Sequence, residues 1–115
     1  MQSTIFTFGY EGLSIEMFIA RLKASHVKTI VDVRELPLSR KKGFSKSSFS
    51  SELSVHGMAY VHMPALGCPK PIRNQYKLDE NWNTYTKEFL KYIRTQEAPL
   101  RELVKISQAS SACLV

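Results

Sequence analysis

The residues with the plainest chemical potential are Asp32 and Arg34, a carboxylate and a guanidinium one residue apart at the end of the apolar run Val27 to Val33. In an extended strand that spacing puts both side chains on one face, so neither reads as an ordinary surface charge. An arginine there offers a planar, permanently charged fork for phosphate or carboxylate. The alternative is that Arg34 pairs with Asp32 or Glu11 while Asp32 braces the neighbouring loop. Further along, Arg40-Lys41-Lys42 runs through Gly43-Phe44 to Ser45 at an expected helix start. Exposed backbone N–H groups and the helix dipole favour an anion at such a position, although a short basic run also serves as plain solvated surface. His62 is a candidate for general acid or base work, against a purely structural role in its strand. Cys68, between Gly67 and Pro69 in a basic neighbourhood, reads either as a nucleophile or as a small packing residue.

These side chains need a scaffold, and the hydrophobic pattern supplies one. Thr4 to Phe8 is a short run of β-branched and aromatic residues, stopped by Gly9-Tyr10-Glu11-Gly12. A helix follows, with Ser14 as its cap, Leu13 and Phe18 at staple positions, and Ile15, Phe18, Ile19 and Leu22 on one face. Val27 to Val33 is then a second strand, and the strand–helix–strand order predicts a parallel βαβ unit. Arg34 to Gly43 is too charged and too rich in turn residues to be anything but an exposed loop. Ser45 is expected to cap a second helix, with Phe44 and Phe49 as staple residues, Leu53 below them and Gly57 as the stop.

Met58 to Met63 reads as a third strand, with Tyr60 and His62 on one face and Ala59 and Val61 on the other. Pro64 to Asp79 holds three of the five prolines and is expected to be a long, mostly irregular loop. Trp82, Tyr85, Phe89 and Ile93 form an apolar stripe on a third helix and are expected in the core. Pro99 suits the first turn of a fourth helix that buries Leu100, Leu103 and Val104. Ala112 to Val115 has no solvent-facing pattern and predicts a buried strand. The result is an α/β fold: a small three-layer sandwich with a mostly parallel four-stranded sheet flanked by helices, in one domain over residues 1–115.

Composition limits the possible classes. At 115 residues and 43% hydrophobic content the chain can bury one ordinary core. Cys68 and Cys113 lie far apart without zinc-type spacing, so neither a structural metal nor a disulfide framework is indicated, and a reducing cytoplasm fits; no cofactor is expected. No apolar run approaches the length of a membrane span, and the N-terminus lacks the charge and apolar stretch of a secretion signal. A net charge of +6 favours anionic partners, yet the same charge also serves solubility.

In parallel α/β sheets ligands bind beyond the carboxyl ends of the strands. The loops Gly9 to Ser14, Arg34 to Ser45 and Pro64 to Arg73 would all gather there. They bring Tyr10, Glu11, Asp32, Arg34, Arg40, Lys41, Lys42, Ser45, His62, Cys68, Lys70 and Arg73 to one edge. From these residues the expected ligand contacts are Tyr10, Arg34, Arg40, Lys41, Lys42, Ser45, Cys68 and Arg73. Asp32, Glu11 and His62 are the candidate proton carriers.

The ordered set Gly9-Tyr10-Glu11-Gly12, Asp32-Val33-Arg34, Pro37-Leu38-Ser39-Arg40 and Gly43-Phe44-Ser45 resembles the domain of unknown function 488 family. Tyr60-Val61-His62-Met63-Pro64, Leu66-Gly67 and Arg73 are similar to that family's central segment, so the resemblance covers nearly the whole chain. It implies a compact α/β domain of bacterial or archaeal type with its arginine motifs round an active site. Relatives continue past the last strand into an acidic segment and a Cys-His-Arg motif, whereas this sequence ends in Cys113-Leu114-Val115. The expectation is therefore a C-terminally truncated form, either a fragment or a shortened member that keeps binding and loses chemistry, poorly active or inactive, with the end of the chain near Arg34, Asp32 or Glu11.

Three functional readings follow. The first is an enzyme, or the remains of one, that binds a phosphate-bearing small molecule or nucleic acid through Arg34, Arg40 and Arg73. The second is a non-catalytic nucleic-acid-binding module using the strip from Arg40 to Lys46. The third is a small protein-interaction domain, and self-association into a homo-oligomer stays open.

Overall fold

The computed structural model describes residues 5–10, 12–34 and 42–115. Four strands form one sheet: β1 (Ile5–Thr7), β2 (Thr29–Asp32), β3 (Ala59–His62) and β4 (Ala112–Leu114). Their order is β1-β4-β2-β3 and all the pairings are parallel. Thus β4 is central, with Ile5 opposite Ala112 on one side and Thr29 opposite Ala112 on the other. The expected buried C-terminal strand is present, because Ala112 and Cys113 are fully buried.

Alternation along the strands feeds two cores. Ile30 and Cys113 face a cluster built with Ile15, Phe18, Ile19 and Leu22 of α1 (Ile15–Ala24) and Phe49 and Leu53 of α2 (Lys46–Val55). Val31 and Ala112 face the opposite cluster, where Leu66 and Leu103 pack with the half-buried Ile93 and Leu100. One sheet covered on both faces is a three-layer α/β arrangement.

Helix α1 begins as its sequence predicts: Ser14 accepts a hydrogen bond from the Met17 N–H at 3.2 Å. Ser14→Ala is expected to lower stability by about 1 kcal/mol, the usual worth of such a cap, as read by urea unfolding. Ser45 also occupies an N-cap position, but without the side-chain capping bond that Ser14 makes. Gly57 ends α2 at a φ of 76°, where a side chain would be strained.

Three expectations need correction. The segment Pro64 to Asp79 is mostly ordered: a 3-10 turn at Pro64–Leu66 leads to α3 (Lys70–Asp79). Its prolines lie where helices begin and no backbone donor is required, so they open these elements instead of breaking them. The stripe on α4 (Trp82–Ile93) is not core throughout, since Trp82 is 62% exposed and no residue of α4 is fully buried. Its rings pack on one another and edge-on against Tyr76 of α3, which covers them only in part. On α5 (Glu97–Ala109), Leu103 is buried as expected but Val104 is 46% exposed. One residue of helix is a 100° turn, and Leu100, Leu103 and Ile106 define the inward face.

Candidate functional site

The carboxyl end of β2 carries the densest polar arrangement among the described residues. Asp32, the last residue of β2, is fully buried. Its Oδ1 accepts the Arg34 backbone N–H at 3.1 Å and Arg34 Nε at 2.8 Å. Its Oδ2 accepts Arg34 Nη2 at 2.7 Å and the Tyr60 hydroxyl at 2.5 Å. Four donors therefore converge on one carboxylate, and of the two readings of Arg34 the structural alternative, pairing with Asp32, is present.

The guanidinium is clasped from its faces as well. Its carbon lies 5.6 Å from the Tyr10 ring centre and 5.8 Å from that of Phe49, within cation–π range. Tyr10 stacks on Phe44 at 4.4 Å and Phe49 meets Tyr60 edge-on at 5.9 Å, so the clasp is continuous with the core. The Arg34 side chain is only 16% exposed. Its Nη1 is buried and has no hydrogen-bond partner among the described residues.

These contacts set the charges. Burial pushes the Asp32 carboxyl up, but hydrogen bonds from Arg34 and Tyr60 outweigh it and hold the group below the ordinary carboxylate value. The hydrogen bonding with Asp32 raises Arg34 despite opposing desolvation. Tyr60 is raised, first by burial and then by donating to Asp32, so it stays a neutral donor.

His62, opposite Asp32 in the β2–β3 ladder, extends the arrangement. Its Nε2 lies 2.7 Å from the Arg34 carbonyl oxygen and must donate to it, since a carbonyl only accepts. Its Nδ1 then faces the Lys46 ammonium at 3.5 Å, at the first turn of α2.

A second group forms after β3. Gly67 packs against the Val33 carbonyl, which folds the loop back over the end of β2. The next residue, Cys68, is half-buried. The Tyr85 hydroxyl is pushed up to about 12, chiefly by the neighbouring Cys68 thiol and then by burial, while the nearby Arg73 charge opposes the shift; Cys68 Sγ itself lies 3.8 Å from the Pro69 carbonyl oxygen. Cys113, by contrast, is a core residue whose thiol burial pushes up to about 11.

Among the residues expected at the site, Tyr10, Asp32, Arg34 and His62 come together. Cys68 and Arg73 join Tyr85 in the neighbouring group. Lys42 is exposed and Ser45 starts α2. Glu11, Arg40 and Lys41 lie outside the described residues. Sequence reasoning passed over Tyr60 and Phe49 as site residues, and named Lys46 only as the end of the basic strip from Arg40. Strand alternation had already put Tyr60 on the face of His62, and that was the available signal. Among the described residues no group of three His, Cys, Asp or Glu is arranged to hold a metal ion. None of the described helices is long and apolar enough to cross a membrane.

A family model described as "Domain of unknown function DUF488" matches residues 14–115. No curated protein and no solved structure matches the chain.

Proposed function

The chain belongs to the domain of unknown function DUF488 family, and on that footing we propose that the carboxyl edge of its sheet binds a phosphate-bearing ligand anchored by Arg34. The supporting observation is Arg34 Nη1, buried and without a hydrogen-bond partner among the described residues while Nε and Nη2 are held by Asp32. A buried donor left unsatisfied costs about 1–3 kcal/mol, and an anionic oxygen reaching it relieves that cost. A second cation, Lys46, is tied to the same place through His62 and the Arg34 carbonyl. Arg73, and Arg40 in the connection after β2, are further candidate phosphate contacts.

Within this reading Asp32 is a positioning residue. Both its oxygens are saturated, so taking a proton would mean dismantling the Arg34 clasp. A proton-transfer role fits His62 better, because its Nδ1 makes one long contact, to Lys46 at 3.5 Å, where each Asp32 oxygen takes two donors.

The test is Arg34→Lys, which leaves a cation for Asp32 but removes the third guanidinium edge. Calorimetric titration with inorganic phosphate and with nucleoside monophosphates is expected to show binding weakened roughly tenfold to hundredfold, the worth of one charge-assisted hydrogen bond. A thermal melt checks that the variant folds. Unchanged affinity in a folded variant rejects the reading. The salt dependence separates ligand classes: a steep fall in affinity for oligonucleotides marks a multi-phosphate partner, and a shallow one marks a single enclosed anion.

A further inference from the structure

Beyond the Arg34 clasp, α3 and α4 enclose a groove of about 230 Å³ whose walls include Ile72, Tyr76 and Tyr85. The two tyrosine rings lie 5.2 Å apart, tilted by 58°. The charged residues lining it are Asp79 and Glu88, and no lysine or arginine is among them, although the whole chain carries +6. Asp79 is fixed at the end of α3: Oδ1 accepts the Asn81 backbone N–H at 2.9 Å and Oδ2 accepts Gln75 Nε2 at 3.0 Å. Neither carboxylate makes an ion pair among the described residues.

Aromatic faces beside two unpaired carboxylates complement a cation with an apolar stem. They repel a phosphate backbone, so stacking of nucleic-acid bases on these rings is disfavoured. The volume is below the roughly 300–1,000 Å³ of pockets that engulf a free small molecule. A single side chain delivered by a larger partner fits it better. We propose that the α3–α4 groove receives one lysine or arginine side chain of a partner polypeptide, with its stem on Ile72, Tyr76 and Tyr85 and its charged head toward Asp79 and Glu88. The residues lining the groove are distinct from Asp32, Tyr10 and Phe49, which hold Arg34.

The test uses the full chain and two synthetic peptides, Gly-Gly-Arg-Gly-Gly and its citrulline counterpart, which keeps the shape but loses the charge. Binding is followed by amide chemical shifts and by fluorescence of Trp82, the single tryptophan, whose ring lies 5.2 Å from that of Tyr85. The arginine peptide is expected to shift Ile72, Tyr76 and Tyr85, and citrulline to weaken binding roughly tenfold, the scale of a cation–π contact with one ion pair. Glu88→Lys, at an exposed position, should weaken it at least as much while melting at the unchanged temperature. Equal binding of the citrulline peptide overturns the proposal. So does full affinity in folded Glu88→Lys, a response confined to residues outside the groove, or a short oligothymidylate shifting the same residues.

Discussion

Replacing Asp32 with alanine should cost about 3–5 kcal/mol of folding stability, the usual consequence of removing one partner from a buried ion pair. The variant strands the Arg34 guanidinium, 16% exposed, between Tyr10 and Phe49 with no carboxylate beneath it. It also removes the acceptor of the hydroxyl of the half-buried Tyr60. Replacing both charges, as in Asp32→Ala with Arg34→Met, should cost less than the sum of the single changes, because the second removes the orphan created by the first. Urea unfolding of the four proteins gives the coupling directly. A loss below about 1 kcal/mol for Asp32→Ala, or strict additivity in the cycle, contradicts the clasp as the element that organises this end of the sheet.

The same pair fixes the sign of a pH effect. The Asp32 carboxyl is held below its ordinary value of 3.8 in the folded protein. Its contribution is therefore present above the unfolded value near 4 and declines as pH falls through the lower, folded value. Asp32→Asn, which does not titrate, should lose this part of the acid limb while the remaining carboxylates keep theirs.

The sheet was legible because its signals are local. Val27 to Val33 and Ala112 to Val115 are short apolar runs that suit strands buried on both faces, and Ile15, Phe18, Ile19 and Leu22 carry a helical period. The site was legible where chemistry and spacing coincide: Asp32 and Arg34 share a face whichever fold surrounds them. Tyr60 was harder to see, because its hydroxyl reaches Asp32 across 28 positions of sequence. Lys46 has meaning only once the β3 residue His62 lies beside the start of α2. The helix α3 was hidden by proline content, since prolines that open a helix resemble prolines that break a loop until the first turn is located. Trp82 misled through its periodicity, which predicts a face but not what covers it; here the cover is other rings of the same helical hairpin.

Gly67→Ala should be disruptive for a reason that no property of glycine in isolation reveals. Its φ of −84° and ψ of 163° are open to any residue, so the backbone conformation is not strained. The obstacle is the neighbour: a Cβ built there would lie 2.1 Å from the Val33 carbonyl oxygen and 3.4 Å from that of Pro64. A backbone atom cannot rotate away, and Val33 is itself tied into the sheet by donating to Val115 at 3.2 Å. The loop after β3 must therefore lift from the end of β2, at a cost of about 1–3 kcal/mol on the scale of overpacked cores. The displacement is transmitted to the next residue, the half-buried Cys68, and to its contact with the Pro69 carbonyl. Reaction of Cys68 with a thiol reagent should then accelerate, while Cys113, fully buried in the central strand, stays silent. Gly9→Ala is the matched control, because nothing lies within 4 Å of its added carbon, and it should change stability by less than about 0.5 kcal/mol. Equal stability and equal thiol reactivity in the two variants contradict close packing of this loop on β2 as the feature that positions Cys68.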